Sequence, residues 1–486
     1  MDAVRSGSQA VIDSVLSSSS PPPATLPPGS PNPHVRAAAV DTPPEDDLEE
    51  VDDEGDEGDE DDWVTQTSSE QPSTEAADAS PTSTSNSTTP QPSPSPAPLH
   101  MADSNGESNS PLILVDFSCS PTVTRGKEDL CTKVQKAYES AGRRLAQLLQ
   151  IKSPLRLKLS YKSFCDTDWG CGSSTLGQAW AASYWEVGGK EGLDSAFLYP
   201  QALLKQLGLN SNTMNNFDII AQFNADQRKR YWFDGDNKDN KPKKGQYEFE
   251  YLAIHELMHG LGYTTSLAQR DGRSLVTPGT LVDGRNITMA FRKPYLFDRH
   301  IFFPNIQASL PSLIPSLAPT APYNASLTTD SAWWADYASR PEGQVASLLY
   351  TQATSGDGSA VLQIDPTNAS IPAIQLAQGN ITLATLYTPS GNFERASSLM
   401  HLSAPLTPPQ DYLMLPQAIK GRVLDTKDGL VGGVFGPITV RMLSALGYPL
   451  LEPVIYRDHT VASGSILQRQ EGIMCALVGM VILSVW

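Results

Sequence analysis

Two histidines four residues apart, the first followed by a glutamate, restrict this chain more than any other feature: His255-Glu256-Leu257-Met258-His259-Gly260-Leu261-Gly262-Tyr263. On a helix both imidazoles project from one face, one turn apart, and reach a single metal ion. Glu256 lies beside them and can hold a water at the metal's open position. Upstream, Tyr247, Phe249, Tyr251, Leu252 and Ile254 supply apolar surface that would bury such a helix against a core. Gly260 and Gly262 offer a place for the helix to end and the chain to turn. The plain alternative is a solvated helix carrying two surface histidines by chance. Against it, the chain has 7 histidines in 486 residues, and two of them fall at ligand spacing with the glutamate in place. The segment reads as a zinc site with its general base.

Gly262 also fits the longer metzincin pattern, in which the glycine turns the chain toward a third ligand three residues later. Here that position is Thr265, and a neutral hydroxyl is a poor zinc ligand. The third donor must come from elsewhere. His34 and His100 lie in a stretch of unfolded composition, and His459 follows the last core-like segment. His300 in Leu296-Phe297-Asp298-Arg299-His300 and His401 in Ser397-Ser398-Leu399-Met400-His401 remain, with Asp298 as a further oxygen donor. Asp298 can alternatively accept a ligand histidine's second N–H.

With Ser397-Ser398-Leu399-Met400-His401 followed by Tyr412-Leu413-Met414-Leu415-Pro416, the chain resembles the leishmanolysin-like metzincins and their secreted microbial relatives. Gly436-Pro437-Ile438-Thr439-Val440 through Leu446-Gly447-Tyr448 is similar to the closing helix of that family. Also similar are Phe223-Asn224 with Tyr231-Trp232-Phe233, and Phe297-Asp298-Arg299. The resemblance covers about residues 111–452, with the zinc helix its one tight motif. It departs in a long insertion and in Met400, a second methionine directly before His401. The resemblance implies one catalytic Zn²⁺ held by His255, His259 and His401, and Met414 as a hydrophobic floor beneath it. It implies peptide hydrolysis, with Glu256 taking the proton of a metal-activated water and passing it to the leaving amine. Tyr263 is expected in the core more than in the cleft.

Residues 1–110 hold 22 acidic and 2 basic residues, so the formal charge of −19 belongs to this stretch, and the remainder is near neutral. A neutral remainder gives no support for nucleic-acid binding. The same stretch has 16 prolines, a serine run at Ser17–Ser20 and the acidic block Glu45 to Asp62. Its few large apolar residues cannot offset chain entropy, so 1–105 reads as a disordered acidic tail. Residues 106–460 read as a metalloprotease domain, with an upper lobe to about 264 and an insertion and lower lobe over 265–460. Residues 461–486 read as a spacer and apolar tail.

Within the domain, Lys127 to Gln150 has helical periodicity and Leu155 to Phe164 strand-like alternation. Phe217 to Phe223 reads as another strand. Zinc-helix proteases place beside the cleft a strand whose edge pairs with an extended substrate. The expected fold is α+β, with an active-site helix, a small mixed sheet and a long insertion. From Ser266 to Ala396 the chain is rich in Pro, Gly, Ser and Asn, and no element is assigned there.

Cys119, Cys131, Cys165 and Cys171 form an even set ahead of the zinc helix, and Cys475 stands apart. Cys165 with Cys171 and Cys119 with Cys131 is the expected pairing out of three, pointing to an oxidising compartment. Asn86, Asn286, Asn324, Asn368 and Asn380 are glycosylation acceptors by sequence. The apolar stretch Ile473 to Trp486, after a polar spacer, resembles a lipid-anchor signal of the GPI type. The N-terminal stretch has no apolar core of the kind a signal peptide needs. The expectation is a secreted or cell-surface zinc endopeptidase acting on protein or peptide substrates. The alternative is a catalytically silent binding or adhesion module that keeps zinc for structure.

Overall fold

The computed structural model describes residues 99–100, 112–120, 128–166, 174–188, 192–283, 286–318, 330–364, 381–407, 409–424 and 433–451. All belong to the unit spanning Val64–Trp486. The acidic block, the apolar C-terminal stretch, Cys171, Cys475, Asn86, Asn324, Asn368 and Asn380 lie outside the described residues.

The first seven described strands are β1 (Leu99–His100), β2 (Ile113–Cys119), β3 (Leu155–Lys162), β4 (Gly177–Ala181), β5 (Tyr184–Glu186), β6 (Leu198–Pro200) and β7 (Ile219–Asn224). Five of them make one sheet in the order β1-β2-β3-β7-β4. The centre is parallel, with β2 beside β3 and β3 beside β7; β1 and β4 run antiparallel at the two edges. In β3, Leu155, Leu157, Leu159 and Tyr161 are buried while Arg156 and Lys158 are exposed. The alternation read from the sequence is thus a sheet with one face on a core and the other in water. Leu99–His100 pairs with Leu114–Val115.

Helix α1 (Glu128–Leu148) occupies the span expected from 127–150. It buries Val134, Tyr138, Ala141, Leu145 and Leu148, alternately four and three residues apart, one apolar stripe at helical period. The disulfide Cys119–Cys131 ties its first turns to the end of β2, as expected. Cys165 is disulfide-bonded too, and the expected partner Cys171 lies outside the described residues. After the short α2 (Gln201–Gln206), α3 (Phe249–Gly260) packs against α1, β4 and β7. Every residue of α3 except Glu250 is buried. Glu250 pairs with Arg144 of α1. A helix enclosed on all sides is a core element, so the polar groups it carries need partners inside the protein.

The Pro-, Gly-, Ser- and Asn-rich stretch contains a four-stranded antiparallel sheet. Ala308–Ser309, Ile301–Phe303, Val361–Ile364 and Ile381–Thr385 are its strands in spatial order. Helices α4 (Asp330–Ser339) and α5 (Pro341–Ala353) lie between the second and third of these, and α6 (Gly436–Leu446) closes the domain against the 409–414 turn. The architecture is mixed α+β with small sheets and, among the described residues, no closed barrel. No described helix is long and apolar enough to cross a membrane.

Candidate metal centre

His255, Glu256 and His259 sit in the second half of α3 with exposures of 0, 0 and 1 %. The third histidine arrives from 142 residues further on: His401, fully buried, faces them from an irregular loop. Ala396 and Leu399 in that loop have φ of +64° and +66°. Non-glycine residues pay for such backbone with roughly 1–2 kcal/mol each, and they persist where the surroundings dictate the path. Here the surroundings are a backbone ladder. Leu399 N donates to Tyr387 O (2.9 Å), Tyr387 N to His401 O (2.8 Å) and Leu402 N to Met414 O (2.7 Å).

Each imidazole turns its Nδ1 to a main-chain carbonyl. His255 reaches Leu413 O at 2.6 Å, His259 reaches Tyr263 O at 2.7 Å and His401 reaches Ser397 O at 2.9 Å. A carbonyl only accepts, so each Nδ1 carries the proton and each Nε2 is left with a lone pair. Those three lone pairs face one another, with Nε2–Nε2 separations of 3.1, 3.2 and 3.2 Å. No hydrogen is available to join them, and three converging acceptors repel unless a cation lies between. Tetrahedral ligands at a Zn–N distance of about 2.0–2.1 Å stand about 3.3 Å apart, so the triangle fits an ion of that size with little adjustment. Burial holds the rings in the neutral form that ligates: His255 is pushed down to about 4 and His401 to about 3. His259 is lowered well below 6.5, by burial first and then by its two neighbours.

The three histidines expected from motif and resemblance are therefore brought together, and among the described residues they form a group whose ring nitrogens could hold a metal ion. Met414 is fully buried, and its carbonyl holds the residue after His401 while Leu413 holds His255. The other ligand candidates lie elsewhere. His300 turns Nδ1 to Gln363 O at 3.1 Å. Asp298 binds no histidine; its carboxylate takes the hydroxyls of Thr265 and Ser266, each at 2.5 Å. Thr265, standing where the short metzincin pattern has its third histidine, is thus turned away to a carboxylate. Tyr263 is a core residue, with its ring 4.8 Å from that of Phe297.

The two glycines differ in role. Gly262 has φ of +100° and makes the turn. Gly260 is the last residue of α3, and a Cβ there would lie 2.3 Å from Ile219 Cγ2, so it lets the helix end lie flat on β7. Gly177 allows a similar close approach beside Glu256: a Cβ on this β4 residue would meet Phe223 at 2.8 Å and Glu256 Cγ at 3.3 Å.

No curated protein and no solved structure matches this chain. One family model does, over residues 71–460, a span that takes in every described strand and helix and all three clustered histidines. The chain belongs to the SPBPB7E8-like family.

Proposed function

We propose that this protein is a zinc-dependent endopeptidase of leishmanolysin-like metzincin type, secreted or held at a cell surface. The observation that carries the reading is the triangle of three Nε2 lone pairs beside Glu256. Three protein nitrogens leave a zinc ion one position short of its usual four, as in catalytic sites. Zinc, when bound, supplies a Lewis acid that activates water and polarises a carbonyl. Glu256 follows His255 directly on α3 and takes the water's proton as it attacks, then delivers it to the leaving amine. The substrate lies extended along β4. Leu176 O accepts from Asn224 N and Ala182 N donates to Asp218 O, so the even-numbered residues between them pair with β7. The peptide groups of Gly177, Ala179 and Ala181 point to the outer edge, available for strand addition. The Cys119–Cys131 disulfide supports an oxidising compartment.

A second reading, a silent binding module with a structural zinc, is favoured by one observation: Glu256 and its neighbouring ligands have at most 1 % exposure. Hydrolysis of dye-labelled casein and of end-blocked peptides by the full chain separates the two. The endopeptidase cleaves both, and a chelator abolishes the cleavage. Glu256→Ala keeps its zinc while losing activity by roughly 10²–10⁴-fold, the span for a positioned proton acceptor. Stoichiometric zinc with both substrates left intact would establish the silent module instead.

A further inference from the structure

The Asp298 carboxylate sits fully buried behind the turn that follows α3. Five hydrogen-bond contacts converge on it. Thr265 Oγ1 donates to Oδ1 and Ser266 Oγ to Oδ2, each at 2.5 Å. The N–H of Ser266 lies 3.0 Å from Oδ2 and 3.3 Å from Oδ1, and that of Tyr295 lies 2.9 Å from Oδ2. Four of the five come from two consecutive residues, so one side chain fixes the path of 265–266. Two residues earlier is Tyr263, whose carbonyl receives the Nδ1–H of His259 at 2.7 Å. Tyr263's ring packs on Phe297, the neighbour of Asp298, so the 296–300 turn grips the segment at both points. On the other side of Tyr263, the Tyr448 hydroxyl donates to Leu261 O at 2.8 Å.

We propose that Asp298 is a positioning residue for the metal site: by clamping Thr265 and Ser266 it sets the Tyr263 carbonyl that orients the imidazole of His259. The clamp does for this chain what a ligand at position 265 does in the short metzincin pattern. It stiffens the chain after the glycine turn, but through a carboxylate instead of through the metal. The proposal rests on the reading of His255, His259 and His401 as metal ligands. Its force comes from tolerance: metal–ligand distances are held to about 0.2 Å, and a carbonyl free to drift lets the ring rotate by more than that.

The test is a Co²⁺ titration of the full chain, followed by visible absorption, with the melting temperature of the metal-free protein measured alongside. Asp298→Ala removes the clamp outright. Thr265→Val with Ser266→Ala removes only the two hydroxyl donors and keeps the falsifying measurement available if Asp298→Ala does not fold. Thr265→Ser restores a hydroxyl at that position. The expected result is a Co²⁺ affinity about tenfold or more weaker in the first two variants, the range for losing a group that orients a ligand histidine. Their absorption band changes shape, whereas Thr265→Ser keeps the wild-type affinity and band. Folded clamp variants with the wild-type affinity and band would overturn the proposal while leaving the metal site intact. A wild-type chain that takes up neither cobalt nor zinc would instead defeat the metal reading beneath it.

Discussion

Gly260→Ala tests whether the metal site depends on the seating of α3 on β7. Alanine is the better helix former by about 1 kcal/mol, so on propensity alone the substitution stabilises. The structure reverses the sign. The added Cβ would stand 2.3 Å from Ile219 Cγ2 and 3.0 Å from Cγ1 and Cδ1, whereas ordinary contact begins at 3.4 Å. The gap of 1.1 Å (3.4 less 2.3) must be opened by moving the end of the helix or the strand. Ile219 is fully buried, so neither moves freely. Overpacking of this kind costs about 1–3 kcal/mol, which exceeds the propensity gain. His259 is the adjacent residue, and a displacement of ~1 Å is about five times the ~0.2 Å tolerance of a metal ligand. We expect metal-free Gly260→Ala to melt lower than wild type and to bind zinc about 10–100-fold more weakly, the range for disturbing a ligand's support. The control is Ile219→Ala, which deletes all three clashing carbons; Ile219→Val does not serve, since it keeps a Cγ2. In the Ile219→Ala background, Gly260→Ala should become neutral or stabilising by up to about 1 kcal/mol. Melting temperatures and zinc affinities of the four proteins complete the cycle. A Gly260→Ala change of equal size in both backgrounds would refute the close-approach argument.

Other substitutions probe the ligand set and its surroundings. His401→Ala should abolish tight zinc binding measured by metal analysis after dialysis, while His300→Ala, 3.1 Å from Gln363 O and outside the histidine cluster, should retain it; the reverse pattern sinks the assignment. Burial pushes His300 down to about 4 from 6.5, so between those values the folded state holds fewer protons than the unfolded one. The stability this confers is complete above pH 6.5 and is lost as pH falls toward 4, by about 3 kcal/mol at most. The melting temperature of metal-free His300→Asn should therefore fall less steeply with acid than that of wild type; parallel curves would contradict this.

What the sequence made legible was periodic or local. Helix α1 and strand β3 bury one face each, so their apolar spacing carries the assignment, and α3 announces itself by two histidines one turn apart beside a glutamate. His401 was a different matter. Its side chain is one of several histidines outside the motif, and only the resemblance singled it out. What selects it physically is the ladder Leu399–Tyr387–His401 and the Leu402–Met414 bond, main-chain pairings with no signature in residue type. The carbonyls of Leu413, Tyr263 and Ser397 were invisible for the same reason. The four-stranded sheet escaped because its strands have two to five residues and Phe303 and Val361 lie 58 positions apart (361 less 303). Short strands paired at long range show little alternation to read. Asp298 left a faint trace: the two consecutive hydroxyls at Thr265 and Ser266, just past the turn, call for an acceptor in the core.

Burial and ligand count pull the two functional readings apart, and ligand count has the greater weight. A structural zinc closes its coordination with a fourth protein donor. Among the described residues the group that could hold a metal ion is His255, His259 and His401, with Glu256 beside it and outside it. Burial of the site can be relieved by displacing side chains and loops, whereas among the described residues no fourth donor joins the three histidines. The open position should therefore accept an external ligand. With Co²⁺ in place of zinc, a peptide hydroxamate should shift the visible band and bind saturably, and in Glu256→Ala the shift should persist, because the metal and not the base receives the ligand. A Co²⁺ spectrum indifferent to hydroxamate, azide and cyanide in a chain with stoichiometric metal would mean that the fourth position is already closed, and the endopeptidase reading would fall with it.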